Sequence, residues 1–527
     1  MRILVTEPLE PGALALLSAR HNTDVRQGLA PAELQEIVGG YDALIVRSQT
    51  KVNRALLERG KNLKLVARAG IGVDNIDVQA ATELGIVVVN APNENVIAAA
   101  EHTLALMLAL ARQVPRADAS LRAGKWQRSK FEGVELSGKT LGIVGLGKIG
   151  SEVARRALAF GMEVVASDPL VAPERAEELG VRLLPLDELL AAADFISLHV
   201  PGGAGTKGLL GARELALVKP GCRLVNCARG GVVDEEALLA ALAEGRLAGA
   251  ALDVFAVEPP SDPRLLAEER LVLTPHIAGS TAEARVNVGL AVAREALAVL
   301  AGLPPTNPVN LPALSPREWQ ALRPLLALAE RLGTIGRGLM SGQLRAIAVQ
   351  TEGALSERSR QLLASAALRG LLAGGDNGAV NLVNARAVAA ARGLRLYESR
   401  AADEECEPSL HLRLETTEGG NELQGGLTRG IPHVLRVDDY WLAFPAQGNL
   451  LFGEHSEGPG VLSSVTRVLA EGGVSISFVQ LGRRARGGRG LMVLGLDDAL
   501  PPAVLAALRA LPSAIWLREV ALPPNGG

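Results

Sequence analysis

Aromatic side chains are scarce in this chain: Phe, Trp and Tyr together fill 3% of its 527 positions. Cores built on large rings are therefore excluded, and packing must come mainly from Ala, Leu and Val. Cysteine is nearly as rare. Cys222, Cys227 and Cys406 are odd in number and lack metal-ligand spacing, so a disulfide scaffold or a metal cluster is not expected. Three isolated thiols fit a reducing cytosol. No sign of charge dominates, with 54 Lys and Arg against 57 Asp and Glu. No overall field thus points to nucleic acid or an anionic membrane. Long apolar runs are also missing. The most apolar helical stretch, 96–111, carries Glu101 and His102, which argues against a membrane span. Met1-Arg2-Ile3-Leu4-Val5 opens as a strand without a signal-peptide pattern, and low-complexity segments are absent. With 48% hydrophobic and 21% charged residues, a cytoplasmic protein of three or four packed domains is expected.

What is present is punctuated by glycine. Gly145-Leu146-Gly147-Lys148-Ile149-Gly150 follows the apolar β run Thr140-Leu141-Gly142-Ile143-Val144 and opens a helical stretch ended by Gly161. A second apolar run, Val164-Val165-Ala166, leads to Asp168. This order of strand, glycine turn, helix, strand and acid is what a dinucleotide-binding loop requires. The first glycine permits the tight turn, the second lets backbone N–H groups approach a pyrophosphate, and the third lets the helix pack on the strand. Asp168 can accept from a ribose 2′-OH and would repel a 2′-phosphate, so the expected cofactor is NAD rather than NADP. Lys148 either adds a pyrophosphate contact or faces water.

Around that loop the chain alternates strands and helices. Strands are expected at 3–6, 43–46, 63–67 and 86–89, then at 195–200, 223–227, 248–252 and 271–273. Long apolar helices are expected at 96–113 and 281–301. A cofactor unit set in mid-chain implies that the returning helix completes the first lobe, with the active site in the cleft between lobes. Asn307-Pro308-Val309-Asn310-Leu311-Pro312 reads as a linker. Beyond it a helix is expected at 317–332, a strand at 344–350 and a mixed α/β region to about 445. From 449 to 520 the order is βαββαβ, a ferredoxin-like unit.

Three later segments end strands and carry ionisable residues: Val225-Asn226-Cys227-Ala228-Arg229-Gly230-Gly231, Asp253 to Glu258-Pro259-Pro260, and Thr274-Pro275-His276-Ile277-Ala278-Gly279. Ligands collect at the carboxyl ends of strands in open α/β sheets. On these motifs the chain resembles the D-isomer-specific 2-hydroxyacid dehydrogenase family, most closely its long-form branch acting on 3-phosphoglycerate. The resemblance runs almost continuously over 1–312. It implies NAD-dependent oxidation of 3-phospho-D-glycerate to 3-phosphohydroxypyruvate, the first step of phosphorylated L-serine biosynthesis. Arg229, Glu258 and His276 match the family's catalytic triad. Imidazole titrates near physiological pH and suits a base for the hydroxyl proton. Glu258 would orient the ring, and Arg229 would bind the substrate carboxylate.

By the same resemblance Asp253 faces the nicotinamide carboxamide, Cys227, Ala228, Ala278 and Gly279 line the cofactor pocket, and His199, Val200, Pro201 and Thr206 lie near the adenosine or pyrophosphate. His199 reads equally well as a structural strand-end residue. Arg47 and Ser48 match a phosphate-binding segment, Gly70, Gly72 and Asn95 the carboxylate-side loops, and Arg128 a further phosphate contact from a neighbouring subunit. A dianionic phosphate needs at least two cations or a nest of N–H groups, so Arg47 requires a companion.

The implied fold is α/β: a Rossmann-type NAD-binding domain (97–280) inserted in a flavodoxin-like substrate domain (1–96 and 281–312). An α+β intervening domain (313–445) and a ferredoxin-like ACT domain (446–527) follow. Val380-Asn381-Leu382-Val383-Asn384-Ala385 marks the third part. In the fourth, His455, Glu457 and Ser475 mark an L-serine effector site that departs from the family pattern, because Glu457 and Ser475 stand where Asp and Asn are usual. A domain kept only for assembly is the competing reading. The implied assembly is a homodimer or homotetramer, without metal. Two rival functions stand beside the first: a glyoxylate, hydroxypyruvate or lactate reductase, and an NAD-sensing corepressor. Arg47 and the extra domains argue against the former; no partner groove marks the latter.

Overall fold

The computed structural model describes residues 1–374, 379–401 and 406–523. Positions 375–378, 402–405 and 524–527 fall within the expected third and fourth parts and lie outside the described residues. Among the described residues four sheets organise the chain. The first holds five parallel strands, β1 (Arg2–Val5), β2 (Asn22–Val25), β3 (Ala43–Val46), β4 (Leu65–Arg68) and β5 (Val87–Val89), ordered β2-β1-β3-β4-β5. Parallel sheets are covered on both faces, so their inner strands read as continuous apolar runs. Ala43-Leu44-Ile45-Val46 is buried throughout. Edge strand β2, Asn22-Thr23-Asp24-Val25, is polar and partly exposed, and hydrophobic periodicity overlooks it.

The second sheet has seven parallel strands: β6 (Thr140–Val144), β7 (Glu163–Ser167), β8 (Arg182–Leu183), β9 (Phe195–Leu198), β10 (Cys222–Asn226), β11 (Leu247–Leu252) and β12 (Leu271–Leu273). Their order is β12-β11-β10-β9-β6-β7-β8. It reverses between β6 and β9, which is where a doubly wound sheet opens its ligand crevice. Helix Val96–Ala111 carries the chain onto this sheet, burying Leu104 and Met107 with Leu141 and Ile143. Helix Ala282–Leu300 carries it back, packing Val288, Val292 and Ala296 on Ile3, Val5 and Ile45. The segment read as a linker is pinned to the first sheet. Val309 N donates to Val88 O at 2.8 Å, and the Asn310 amide bonds both Val88 N and Ile86 O. Its proline and asparagine content marks a chain with few ladder donors rather than a loose one.

Helix Pro316–Leu339 runs seven residues past the expected end at 332. Its glycines mislead the sequence reading because they serve close packing. A Cβ on Gly333 would strike the carbonyl of Ala367 on helix Glu357–Leu372, and one on Gly370 would strike Glu330 O. The third sheet then adds β13 (Leu344–Thr351), β14 (Arg395–Arg400), β15 (Ser409–Thr416), β16 (Gly419–Thr428), β17 (Ile431–Val437) and β18 (Tyr440–Pro445). It is antiparallel except where β14 lies parallel to β13. The fourth sheet, β19 (Gly448–Ser456), β20 (Ile476–Arg483), β21 (Arg489–Leu496) and β22 (Ala514–Leu522), is ordered β20-β21-β19-β22 with two helices between its strands, the ferredoxin-like order.

Candidate active site

The glycine loop fits a dinucleotide on three counts. Gly145 sits at φ +94°, where a Cβ would come within 2.6 Å of His199 O. A Cβ on Gly150 would run into the Gly145 carbonyl, so the helix Lys148–Ala159 packs against the loop only with glycine there. Gly147 has open space where its Cβ would point, the room a pyrophosphate needs. Asp168 follows β7, and its carboxylate accepts from Leu146 N and Leu170 N at 2.9 Å each, which places it against the loop. Lys148 is exposed, and its ammonium donates to the side-chain oxygen of Asn93 on the first lobe. Ile149 is half-buried beside it.

His199 and Val200 press on Gly145, and Gly202 lies beside the Arg229 stem, so the segment after β9 spans from the glycine turn to the arginine. His199 Nε2 is 2.8 Å from Ser197 Oγ, and burial pushes its pKa down to about 4, so it is neutral. Thr206 Oγ1 donates to Pro201 O at 2.6 Å and closes that turn.

Three strand ends converge after β10, β11 and β12. Asn226, buried, accepts from Ala228 N and donates to Arg229 O, which shapes the turn that presents Arg229. Gly230 abuts Phe255 O, and Phe255 N donates to Glu258 Oε1 at 3.2 Å. The other carboxylate oxygen, Oε2, lies 2.8 Å from His276 Nδ1. His276 itself is held at φ +54°, a left-handed conformation unusual outside glycine. Asp253, wholly buried, supports that turn: its carboxylate accepts from Thr274 Oγ1 at 2.6 Å and from Ile277 N and Ala278 N at 2.9 Å. Burial alone would raise its pKa, but these donors and His102 hold it below the usual carboxylate range. Cys227 bonds Thr103, and burial pushes its thiol up to about 12, so it stays protonated.

The first lobe meets this group from the other side. A Cβ on Gly72 would meet the Arg229 guanidinium, whose Nε pairs with Asp74 at 3.2 Å. Asn95 lies against Gly279, within 2.5 Å of where a Cβ would stand, and its Oδ1 is sealed without a hydrogen-bond partner. Glu7 organises the 47–50 turn after β3. Burial raises its pKa, yet backbone N–H groups of Thr50, Arg47 and Gln49 bring it below the usual range. Ser48 is exposed on this turn. Sequence reasoning missed Arg68, at the end of β4. Its Nε is buried without a partner, and burial together with the charges of Arg229 and Arg47 lowers its pKa. The signal was available: an arginine closing an apolar strand, two residues before Gly70. Three guanidinium groups near one another call for an anion.

Family models match residues 104–278 as the NAD binding domain of D-isomer specific 2-hydroxyacid dehydrogenases and 321–437 as the D-3-phosphoglycerate dehydrogenase intervening domain. A D-3-phosphoglycerate dehydrogenase of Synechocystis is 43% identical over 510 residues, covering 96% of this chain and 92% of that protein. The chain belongs to the D-3-phosphoglycerate dehydrogenases. Its dehydrogenase part is also similar to the solved TT0316 protein of Thermus thermophilus, at 42% identity and TM-score 0.55, covering 59% of this chain and all of that one. A D-lactate dehydrogenase of Aquifex aeolicus, solved with NAD and lactic acid, is 30% identical with TM-score 0.52, covering 57% and 96%.

Two groups of expected residues are not brought into a site within one copy of this phosphoglycerate dehydrogenase. Arg128 is exposed on the turn Arg128–Lys130 and, among the described residues, bonds nothing in the cleft. In the fourth sheet, His455 pairs with Gly490 at one end of β21, while Ser475 precedes Ile476, which pairs with Leu496 at the other. Six residues of strand put about 20 Å between them. One copy therefore does not gather His455, Glu457 and Ser475 into one site. The cause is topological: in βαββ the first strand ends where the second does not begin. Glu457 is already engaged by the Arg483 guanidinium and by Gly487 N.

Proposed function

We propose that Arg229, Glu258 and His276 carry out NAD-dependent oxidation of 3-phosphoglycerate to 3-phosphohydroxypyruvate, the entry to serine biosynthesis. The convergence of the His276–Glu258 pair with Arg229, which itself reaches Gly72 of the opposite lobe, carries this reading. With Nδ1–H directed at Glu258, His276 keeps a lone pair on Nε2 to take the hydroxyl proton. The adjacent carboxylate then stabilises the imidazolium. Arg229 and the 70–72 turn hold the substrate carboxylate, and Arg47 with Arg68 supplies the two cations a phosphate needs. Bound NAD supplies the hydride acceptor; Gly145, Gly147, Gly150, Asp168, the 199–206 segment, Cys227 and Ala228 would hold it.

The same reading assigns 1–96 with 281–312 to substrate binding, 97–280 to the cofactor, and 313–445 and 446–527 to regulation or assembly. A homodimer or homotetramer in the cytoplasm belongs to the proposal. Leu121 and Trp126, 58% and 77% exposed near Arg128, support a covering second copy. The free thiols of Cys222 and Cys227 agree with a reducing compartment, and among the described residues no helix is long and apolar enough to cross a membrane. L-Serine as effector would require residues of two copies to meet. The test is NADH formation by purified protein with NAD and a panel of 2-hydroxy acids. Turnover of 3-phosphoglycerate should exceed that of lactate and glycerate, and equal rates would reject the assignment.

A further inference from the structure

A second histidine and carboxylate stand behind the His276 turn. His102, on helix Val96–Ala111, places Nε2 3.2 Å from Thr274 Oγ1 and 3.4 Å from Asp253 Oδ1. The protons can be assigned. Thr274 has a single hydroxyl hydrogen, and at 2.6 Å it belongs to the Asp253 carboxylate, which has none to give. Nε2 of His102 must therefore carry a proton and share it between the hydroxyl and the carboxylate. Asp253 in turn grips Ile277 N and Ala278 N, the two amides directly after His276, and its own carbonyl accepts from His276 N at 2.9 Å.

We infer that His102 is a positioning residue for the reaction: its Nε2–H keeps the Asp253 carboxylate ionised and fixed, and Asp253 locks the strained turn that presents His276. The physical need is plain. A carboxylate with no solvent exposure must replace its water with donors, and losing one of few favours protonation. A protonated Asp253 offers weaker acceptors to the two amides, and His276 has no intrinsic preference for its left-handed backbone. The titratable groups beside Asp253 are His102 from the helix and the Cys227 thiol from the end of β10. Because the thiol stays protonated, the carboxylate responds mainly to His102. The helix bearing His102 directly follows Asn95, so the lock also ties the catalytic turn to the chain that enters from the other lobe.

The role assigned to His276 underlies this inference, so its test includes a measurement independent of turnover. Amide exchange in the full chain without added cofactor, followed by mass spectrometry over the peptide holding Ile277 and Ala278, reads the grip directly. Corrected for intrinsic rates, protection in His102→Leu is expected to fall about tenfold at pH 6 and less at pH 8. His102→Gln, which keeps a donor near the Nε2 position, should stay within about threefold of the parent. Thr274→Val removes the other side-chain donor and should show the same acid-side loss, which keeps the test open if His102→Leu does not fold. In turnover of 3-phosphoglycerate, kcat of His102→Leu should drop about tenfold with the acid limb displaced upward by about one pH unit, KM moving little. Unchanged protection at both pH values, or a Gln variant as impaired as Leu, would overturn the inference. A protein with the expected exchange but no 2-hydroxyacid oxidation would reject the catalytic reading and leave the lock standing.

Discussion

His276 Nδ1 and Glu258 Oε2 meet at 2.8 Å although 18 positions separate them and they follow different strands. Neither residue finds the other by flexible search. Phe255 N fixes the second oxygen of Glu258, and the backbone of His276 is bonded to Asp253 O and Thr274 O. The pair is thus built from the ends of two parallel strands, whose spacing is set by the sheet.

His276→Ala should lower kcat by about a thousandfold, the usual scale of a lost general base, while leaving NADH binding within a few-fold. Steady-state absorbance and NADH fluorescence titration separate the two. Full activity in the variant would remove His276 from the chemistry.

Arg47→Ala and Arg68→Ala should each raise KM for 3-phosphoglycerate by about ten- to a hundredfold, the scale of a charge-assisted hydrogen bond. KM for unphosphorylated glycerate should rise less. Equal changes for both substrates would place these arginines away from the phosphate.

Asp168→Ala should reduce the NAD over NADP preference in kcat/KM by about tenfold or more, since it removes both an acceptor and a repulsive charge. An unchanged ratio would count against the ribose contact. Its bonds to Leu146 N and Leu170 N imply some loss of stability as well, which thermal melting would register.

His199 gives a pH dependence of stability with a definite sign. Burial lowers its folded pKa to about 4 from an ordinary value of 6.5. Between these values the unfolded chain binds a proton that the folded one refuses, so stability is full above pH 6.5 and is lost as pH falls toward 4. The loss from this group is about 3 kcal/mol. Urea unfolding at pH 7 and pH 4.5 should show a smaller difference for His199→Gln than for the parent; an equal difference would deny the buried neutral state.

The sequence is most readable where one residue type has one physical use. The glycine turn at 145–150 and the wholly apolar strand β3 are of this kind. Polar edges and functional glycines are harder. Strand β2 shows no hydrophobic pattern because one of its edges meets water, and Gly333 resembles a helix end because close packing is visible only with its neighbour present. Within the site, the strand-end motifs announced Arg229, Glu258 and His276, whereas Arg68 and His102 sit in apolar segments and read as core-flanking residues. The use of Arg68 appears only when the lobes are placed together and that of His102 only when its helix packs behind the 274–278 turn; spacing along the chain carries no trace of either.

The contact of Asn95 with Gly279 brings the two passages between the lobes together. The chain passes from the first sheet to the second just after Asn95 and returns just after Gly279, so both passages lie side by side. A body hung on two adjacent pins swings about the line joining them, and points near that line travel least. His276 is three residues from one pin. Any rotation of the lobes about that line would carry distant groups through an arc while the base stayed almost at rest, like the jaw of a plier turning beside its rivet.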